Sequence, residues 1–176
     1  MKSYVLLAAA TASLILTPSS SPAAEPKGGS LIYETPREFF GSADFDGDGR
    51  ADLVIVDKAS GKFRLGYQTE GGLFSWVDCR PSGLKGIGGF TIGKVLAANA
   101  AGLAFAAPDA NQITLVDVSS PTAPSRPKTV DFSAALGPNT IVALPIGGNG
   151  KTPLDDLYVA SIYNSPDPNQ ATLLRN

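Results

Sequence analysis

The chain has 176 residues, with 14 basic and 16 acidic side chains, one cysteine and no histidine. The lack of histidine excludes zinc sites of the histidine type, Ser-His-Asp triads and histidine general bases. A single cysteine excludes an intramolecular disulfide, and without a basic patch interleaved with aromatic residues nucleic acid is not a predicted partner.

The first 24 residues have the pattern of a secretory signal peptide. Lys2 precedes an apolar run from Val5 to Leu16, and small residues end the segment at Ala23 and Ala24. The run is too short to span a bilayer, and no later run is long enough. Loss of this segment leaves 13 basic residues against 16 acidic ones, a net charge of −3. We expect a secreted, periplasmic or extracellular protein without a transmembrane segment.

An aspartate-rich loop comes after a short linker, 25–38, which contains a predicted strand. Asp44, Asp46, Asp48 and Asp52 occupy positions 1, 3, 5 and 9 of this loop. Four carboxylates so close together repel one another, so the loop is costly to close without a cation. Ca²⁺ accepts six to eight oxygen ligands in a flexible loop, and Gly49 at position 6 permits the sharp turn that such a loop needs. The alternative is an Asp/Gly turn that binds nothing.

The residues after the loop distinguish it from an EF-hand. Position 12 carries Ile55 instead of a bidentate glutamate. Ile55 lies within the run Leu53–Val56, whose β-branched residues are typical of a buried strand. The sequence therefore predicts a strand–loop–strand unit, with Asp52 closing the loop earlier than an EF-hand does.

Phe40-Gly41 followed by Asp-x-Asp-Gly-Asp-Gly-x-x-Asp-Leu resembles the FG-GAP/VCBS repeat. This is the calcium-binding blade repeat of integrin α-subunit β-propellers and of many secreted bacterial proteins. The resemblance implies that Ca²⁺ is the cofactor, and the ligand number favours it over Mg²⁺ or Mn²⁺. The implied ligands are the side chains of Asp44, Asp46, Asp48 and Asp52 and the backbone carbonyl of Arg50.

The sequence also contains an internal repeat. A shift of 50 residues places 53–56 on 103–106, and a further shift of 58 places 108–116 on 166–174 with six of nine residues identical. One hairpin position reads Gly61, Asn111 and Asn169 in successive units. Glycine and asparagine both accept a left-handed backbone, so the same turn is expected in each unit.

The repeat predicts an all-β chain, a partial β-propeller of four-stranded antiparallel blades at about 39–80, 86–133 and 140–176. The predicted strands are Phe39–Ala43, Leu53–Asp57, Lys62–Gln68, Leu73–Cys79, Phe90–Ala97, Leu103–Ala107, Ile113–Val118, Thr129–Phe132, Ile141–Ile146, Asp156–Tyr163 and Ala171–Leu174. Propellers typically need four to eight blades, so we expect the remainder of the propeller to lie outside this chain. The alternative is an open stack of blades whose exposed edges invite association.

The metal loop is not predicted in the later units. In the second unit, Lys94 and Gly102 stand where Asp44 and Asp52 stand in the first. In the third, Asp156 matches Asp52, but only Asn149 can supplement it, so a turn is expected there.

Two other segments carry predictions of their own. Cys79 is expected to be a half-buried free thiol on an alternating strand. The proline-rich stretch 121–127 is expected to be an extended surface loop.

These features favour a secreted calcium-binding repeat module that binds an extracellular protein or a glycan, or that acts as a scaffold or spacer. The chain itself is not predicted to be an enzyme, because its notable carboxylates belong to the metal loop. The alternative is the N-terminal part of a propeller-bearing extracellular hydrolase or lyase whose active site lies outside this chain.

Overall fold

The computed structural model describes residues 30–132, 136–146 and 154–161, and the backbone of 171–174. The predicted signal peptide, Asn149 and Asn169 lie outside these residues. The described part is all-β, with every strand pairing antiparallel, which confirms the predicted all-β class, whereas the propeller arrangement stays a prediction. It contains no helix of the length and hydropathy needed to cross a bilayer.

Thirteen strands are described. They are β1 Leu31–Glu34, β2 Glu38–Ala43, β3 Asp52–Asp57, β4 Lys62–Gln68, β5 Phe74–Trp76, β6 Arg80–Pro81, β7 Gly89–Gly93, β8 Gly102–Ala107, β9 Gln112–Val116, β10 Lys128–Asp131, β11 Thr140–Leu144, β12 Asp156–Ala160 and β13 Ala171–Leu174.

The strands form three sheets that succeed one another along the chain. The first has the order β1-β2-β3-β4-β5, with β6 also paired to β4; the second has the order β10-β9-β8-β7; and the third has the order β11-β12-β13. Their pairing register repeats: Leu53 lies opposite Gly66, Leu103 opposite Val116, and Leu157 opposite Leu174. The first two pairs differ by the same 50 residues that relate the sequences. The sequence repeat is therefore also a structural one.

Several strands are shorter than predicted, and the last strand of the first unit is broken. The chain turns directly after β7, where the N–H of Val95 donates to the carbonyl of Gly93. It turns in the same way after β11, where the N–H of Ile146 donates to the carbonyl of Leu144. Between β5 and β6, the three residues 77–79 lie opposite two residues of β4. One extra residue on one of two paired strands defines a β-bulge, which disrupts the hydrogen-bond ladder locally. Cys79 lies in this bulge and is exposed, so its predicted half-burial is wrong.

The cores lie between the sheets. We call the face of a sheet that packs on the next sheet its forward face, and the opposite one its rear face. The forward face of the first sheet, with Val54 and Val56, packs with the rear face of the second, with Leu103 and Phe105. The alternate residues of β8 form the second sheet's forward face and pack on the third sheet's Leu157 and Val159. Period-two alternation thus makes the second sheet apolar on both faces.

Glycines bring the first strands of neighbouring units close together. A Cβ atom added to Gly41 of β2 would lie 2.5 Å from the Cδ1 atom of Ile92 in β7. One added to Gly93 of β7 would lie 2.5 Å from the Cβ atom of Ala143 in β11. The glycine of the Phe-Gly pair therefore serves sheet packing, a role that is repeated one sheet later.

Candidate metal centre

The aspartate loop, residues 44–51, connects β2 to β3 at one end of the first sheet. Each of Asp44, Asp46 and Asp48 offers a carboxylate oxygen, and these three oxygens lie within 4.8 Å of one another. Asp44 and Asp46 are half-buried, and Asp48 is exposed. Three of the five predicted ligand residues are thus brought together.

Backbone N–H groups hold Asp44 at the start of the loop. Its Oδ1 atom accepts hydrogen bonds from the N–H of Gly47 at 2.7 Å and of Asp48 at 3.1 Å, and its Oδ2 atom accepts one from Gly49 at 2.9 Å. Gly47 and Gly49 have φ angles of 80° and 85°, where side chains other than glycine are disfavoured. The two glycines therefore permit the curl that carries these N–H groups around one carboxylate.

Asp52 has a different environment from the other three aspartates. It is fully buried, at 0% exposure, and it is the first residue of β3. Its Oδ2 atom accepts from the N–H of Phe45 at 2.9 Å, and its Oδ1 atom accepts from the N–H of Gln68 at 2.8 Å. Asp52 therefore ties the start of the loop to the end of β4, and its role as a metal ligand stays a prediction.

Arg50 contributes its side chain as well as its backbone. Its guanidinium forms an ion pair with Asp48, and its Nε atom donates to the carbonyl of Gln68 at 2.8 Å. The backbone N–H of Arg50 donates to the Oδ1 atom of Asp48 at 2.8 Å. Asp48 thus has a cationic partner that a bound metal ion would have to share or displace. The sequence prediction considered only the carbonyl of Arg50.

The electrostatics of the loop favour a cation. Burial raises the pKa of Asp46 above its ordinary 3.8, and the neighbouring carboxylates of Asp48 and Asp44 raise it further. Burial also raises the pKa of Asp52, against the lowering effect of its two backbone hydrogen bonds. A raised carboxylate pKa means that the ionised form is disfavoured where it stands. A divalent cation bound among these oxygens would reverse that penalty.

The donor set fits a hard cation. Every side-chain donor is a carboxylate oxygen, without nitrogen or sulfur, as Ca²⁺ and Mg²⁺ prefer. Asp44, Asp46 and Asp48 are the residues that would hold the ion.

The corresponding position of the second unit is used for packing between sheets. Lys94 occupies the place of Asp44, and its backbone N–H donates to the carboxylate of Asp155 at 2.7 Å. The N–H of Asp155 in turn donates to the carbonyl of Lys94 at 3.0 Å. Within the described ranges, the cluster at 44–48 is the only group of three potential metal-binding side chains.

Comparison with protein-family models, with curated proteins and with solved structures gives no match for this chain. The FG-GAP/VCBS resemblance therefore rests on the motif at 40–53 and stays a prediction.

Sequence reasoning missed how Asp52 and Arg50 act together. Both reach Gln68 at the end of β4, Asp52 through the backbone N–H and Arg50 through the carbonyl. The only sequence signal was the position of Asp52, directly before the apolar run of a buried strand. A carboxylate at such a position is buried with its strand and needs hydrogen-bond donors.

Proposed function

We propose that this protein is a secreted, calcium-binding repeat module of the FG-GAP/VCBS type, built as part of a β-propeller. The observation that carries the proposal is the convergence of the Asp44, Asp46 and Asp48 carboxylates on one curled loop. The repeated strand register and the glycine contacts between first strands support the propeller. Export is proposed from the pattern of residues 1–24.

Calcium would act here as a structural ion. It would neutralise the carboxylates on a loop that connects two strands of the first sheet and whose start is tied to a third strand through Asp52. Ion binding at 100-fold excess over the dissociation constant adds about 2.7 kcal/mol to the stability of a folded protein. Extracellular modules commonly bind Ca²⁺ with dissociation constants of about 10⁻⁴–10⁻³ M, so the site would fill in calcium-rich fluid.

The partner proposed for this module is an extracellular protein or a glycan. An open cleft of about 440 Å³ adjoins the metal loop, and residues of all three units line it. Its polar lining includes Asp44, Lys94, Asn99 and Asp155. Such a cleft offers both charge signs and hydrogen-bonding groups beside the metal, as a polar partner requires.

Thermal unfolding in calcium and in EDTA tests the proposal. The chain without residues 1–24 should melt higher in calcium, by roughly 5–10 °C if the gain is 2.7 kcal/mol in a domain of this size. Asp46→Asn should abolish this difference, because it removes one of the three converging carboxylates. Asp78→Asn is the matched control, because it makes the same charge change at an exposed position outside the loop. Equal melting temperatures in calcium and EDTA for the wild-type chain would contradict calcium binding.

A further inference from the structure

The guanidinium of Arg50 is held by two acceptors at different places in the first sheet. Its Nε atom donates to the carbonyl of Gln68, at the end of β4, at 2.8 Å. Its Nη2 atom donates to the Oδ2 atom of Asp48 within an ion pair. The side chain of Arg50 is 36% exposed and that of Asp48 23%, so water is partly excluded from the pair. A planar guanidinium with two fixed acceptors is held in one place beside the loop.

This guanidinium is a cation built into the metal loop itself. Residues 44–52 contain four carboxylates and one guanidinium, which gives the segment a net charge of −3. Arg50 contacts both oxygens of Asp48, Oδ1 through the backbone N–H at 2.8 Å and Oδ2 through the side chain. Asp48 is nevertheless one of the three residues whose carboxylate oxygens converge. One of the three carboxylates therefore already has a positive partner.

The second unit lacks both the carboxylates and the guanidinium. Ala100 lies 50 residues after Arg50 and is buried, with 9% exposure. In the same unit, Lys94 and Gly102 stand at the first and last aspartate positions of the loop. In these two units the guanidinium accompanies the carboxylates. Its role therefore belongs to the acidic loop and is not required by the strands that flank it.

We propose that Arg50 is an internal counter-ion that calcium must displace from Asp48, and that it thereby weakens the calcium affinity of the loop. In the metal-free loop, Arg50 neutralises part of the charge and helps to keep the carboxylates together. When calcium is bound, Arg50 releases Asp48, while its Nε contact with Gln68 keeps the guanidinium beside the loop, where it can pair again. This inference rests on the proposed calcium function and concerns the regulation of the same site.

The expected size of the effect follows from the charges. Charges of +2 and +1 a few ångströms apart repel one another even in a water-like dielectric, by enough to change a dissociation constant roughly tenfold. Loss of the ion pair itself adds little, because partly exposed pairs contribute modestly to stability. Removal of the positive charge should therefore make the loop bind calcium roughly tenfold more tightly.

Calorimetric titration of the chain without residues 1–24 with calcium chloride tests the proposal. Arg50→Gln removes the charge and keeps an NH₂ donor, and it should bind calcium roughly tenfold more tightly than wild type. Arg50→Met removes the same charge with a different side chain and should show the same gain. Arg50→Lys keeps the charge and should bind like wild type. Arg64→Gln is the matched control, because its Nε atom donates to a carbonyl, that of Val77, at 3.0 Å, outside the metal loop.

Thermal unfolding separates a counter-ion from a merely structural arginine. In EDTA, Arg50→Gln should melt lower than wild type by up to about 4 °C, because the loop loses its own cation. In saturating calcium it should melt at least as high as wild type, because tighter binding offsets that loss. A merely structural role would lower the melting temperature equally in both conditions and leave the dissociation constant unchanged, and that result would overturn the proposal.

The titrations also separate this proposal from the proposed calcium function. If wild type binds calcium and the folded Arg50→Gln and Arg50→Met variants bind no more tightly, only the counter-ion proposal fails. It fails too if Arg64→Gln gains as much affinity, since that gain would belong to the overall charge of the chain. If wild type takes up no calcium but Arg50→Gln does, the counter-ion proposal is supported and calcium binding by the native chain is contradicted. If neither binds calcium, both proposals fail. Circular dichroism shows that each variant is folded.

Discussion

Replacement of Asp52 by asparagine separates an anchoring role for this residue from a metal-binding one. The carboxylate accepts from the N–H groups of Phe45 and Gln68, one on each oxygen. Asparagine offers one acceptor oxygen and places an NH₂ group where the second oxygen was. One buried N–H group therefore loses its partner, which costs about 1–3 kcal/mol.

Part of this cost is offset, because the substitution also removes a buried charge whose pKa is raised mainly by burial. We expect the net free energy of unfolding to fall by about 1–2 kcal/mol. For a chain of this size the melting temperature should then fall by roughly 2–8 °C. The assay is thermal or urea unfolding of the wild type and Asp52→Asn, each in EDTA and in calcium.

The decisive comparison is between these two conditions. An anchor predicts the same loss in EDTA and in calcium, with the stabilisation by calcium largely retained. Asp46→Asn should behave in the opposite way, with little change in EDTA and no response to calcium. If Asp52→Asn melts like wild type in EDTA and loses only the calcium response, Asp52 is a ligand and the anchoring argument is refuted.

The remaining predictions concern acidity, a turn and a buried phenol. Because the pKa of Asp46 is raised above 3.8, protons begin to compete with calcium for its carboxylate above that pH. The difference in melting temperature between calcium and EDTA should therefore shrink as the pH falls towards 3.8. A difference that stays constant down to pH 3.8 would contradict this. Gly61→Ala should destabilise the protein by about 1–3 kcal/mol or more, because Gly61 has a φ of 66° and the added Cβ would lie 1.8 Å from the carbonyl oxygen of Leu84. Urea unfolding measures this loss. An unchanged unfolding midpoint would contradict the left-handed turn at Gly61. Burial raises the pKa of Tyr67, whose hydroxyl donates to the carbonyl of Val118 at 2.6 Å, to about 12. The unfolded chain therefore ionises first, and stability should fall as pH rises from 10 to about 12, less steeply in Tyr67→Phe; equal slopes in urea unfolding would oppose this.

The repeat could be predicted from the sequence because it is written in local patterns. Alternating apolar residues placed most strands, and the shift of 50 residues reproduced the strand register. The left-handed hairpin position was also predictable, since Gly61 and Asn111 both have positive φ angles, 66° and 51°. The sequence could not predict that Gly61 and Asn111 make different tertiary contacts. Asn111 accepts hydrogen bonds from the N–H groups of Leu136 and Gly137, which lie far along the chain, whereas Gly61 is packed against Leu84.

The metal loop was predicted in part for a similar reason. The spacing of Asp44, Asp46 and Asp48 is a local property, and the structure brings their oxygens together. The burial of Asp52 depends on β4, whose end lies 16 residues away, so the loop sequence alone could not reveal its partners. The bulge that exposes Cys79 depends likewise on an extra residue relative to β4, which alternation within residues 73–79 does not show.

A crystal structure grown in calcium, with anomalous diffraction recorded to locate the ion, tests the central claim most directly. The account predicts one strong anomalous peak per chain within coordination distance of the carboxylates of Asp44, Asp46 and Asp48, and no peak beside Lys94. Density without an ion at this loop under saturating calcium would contradict it.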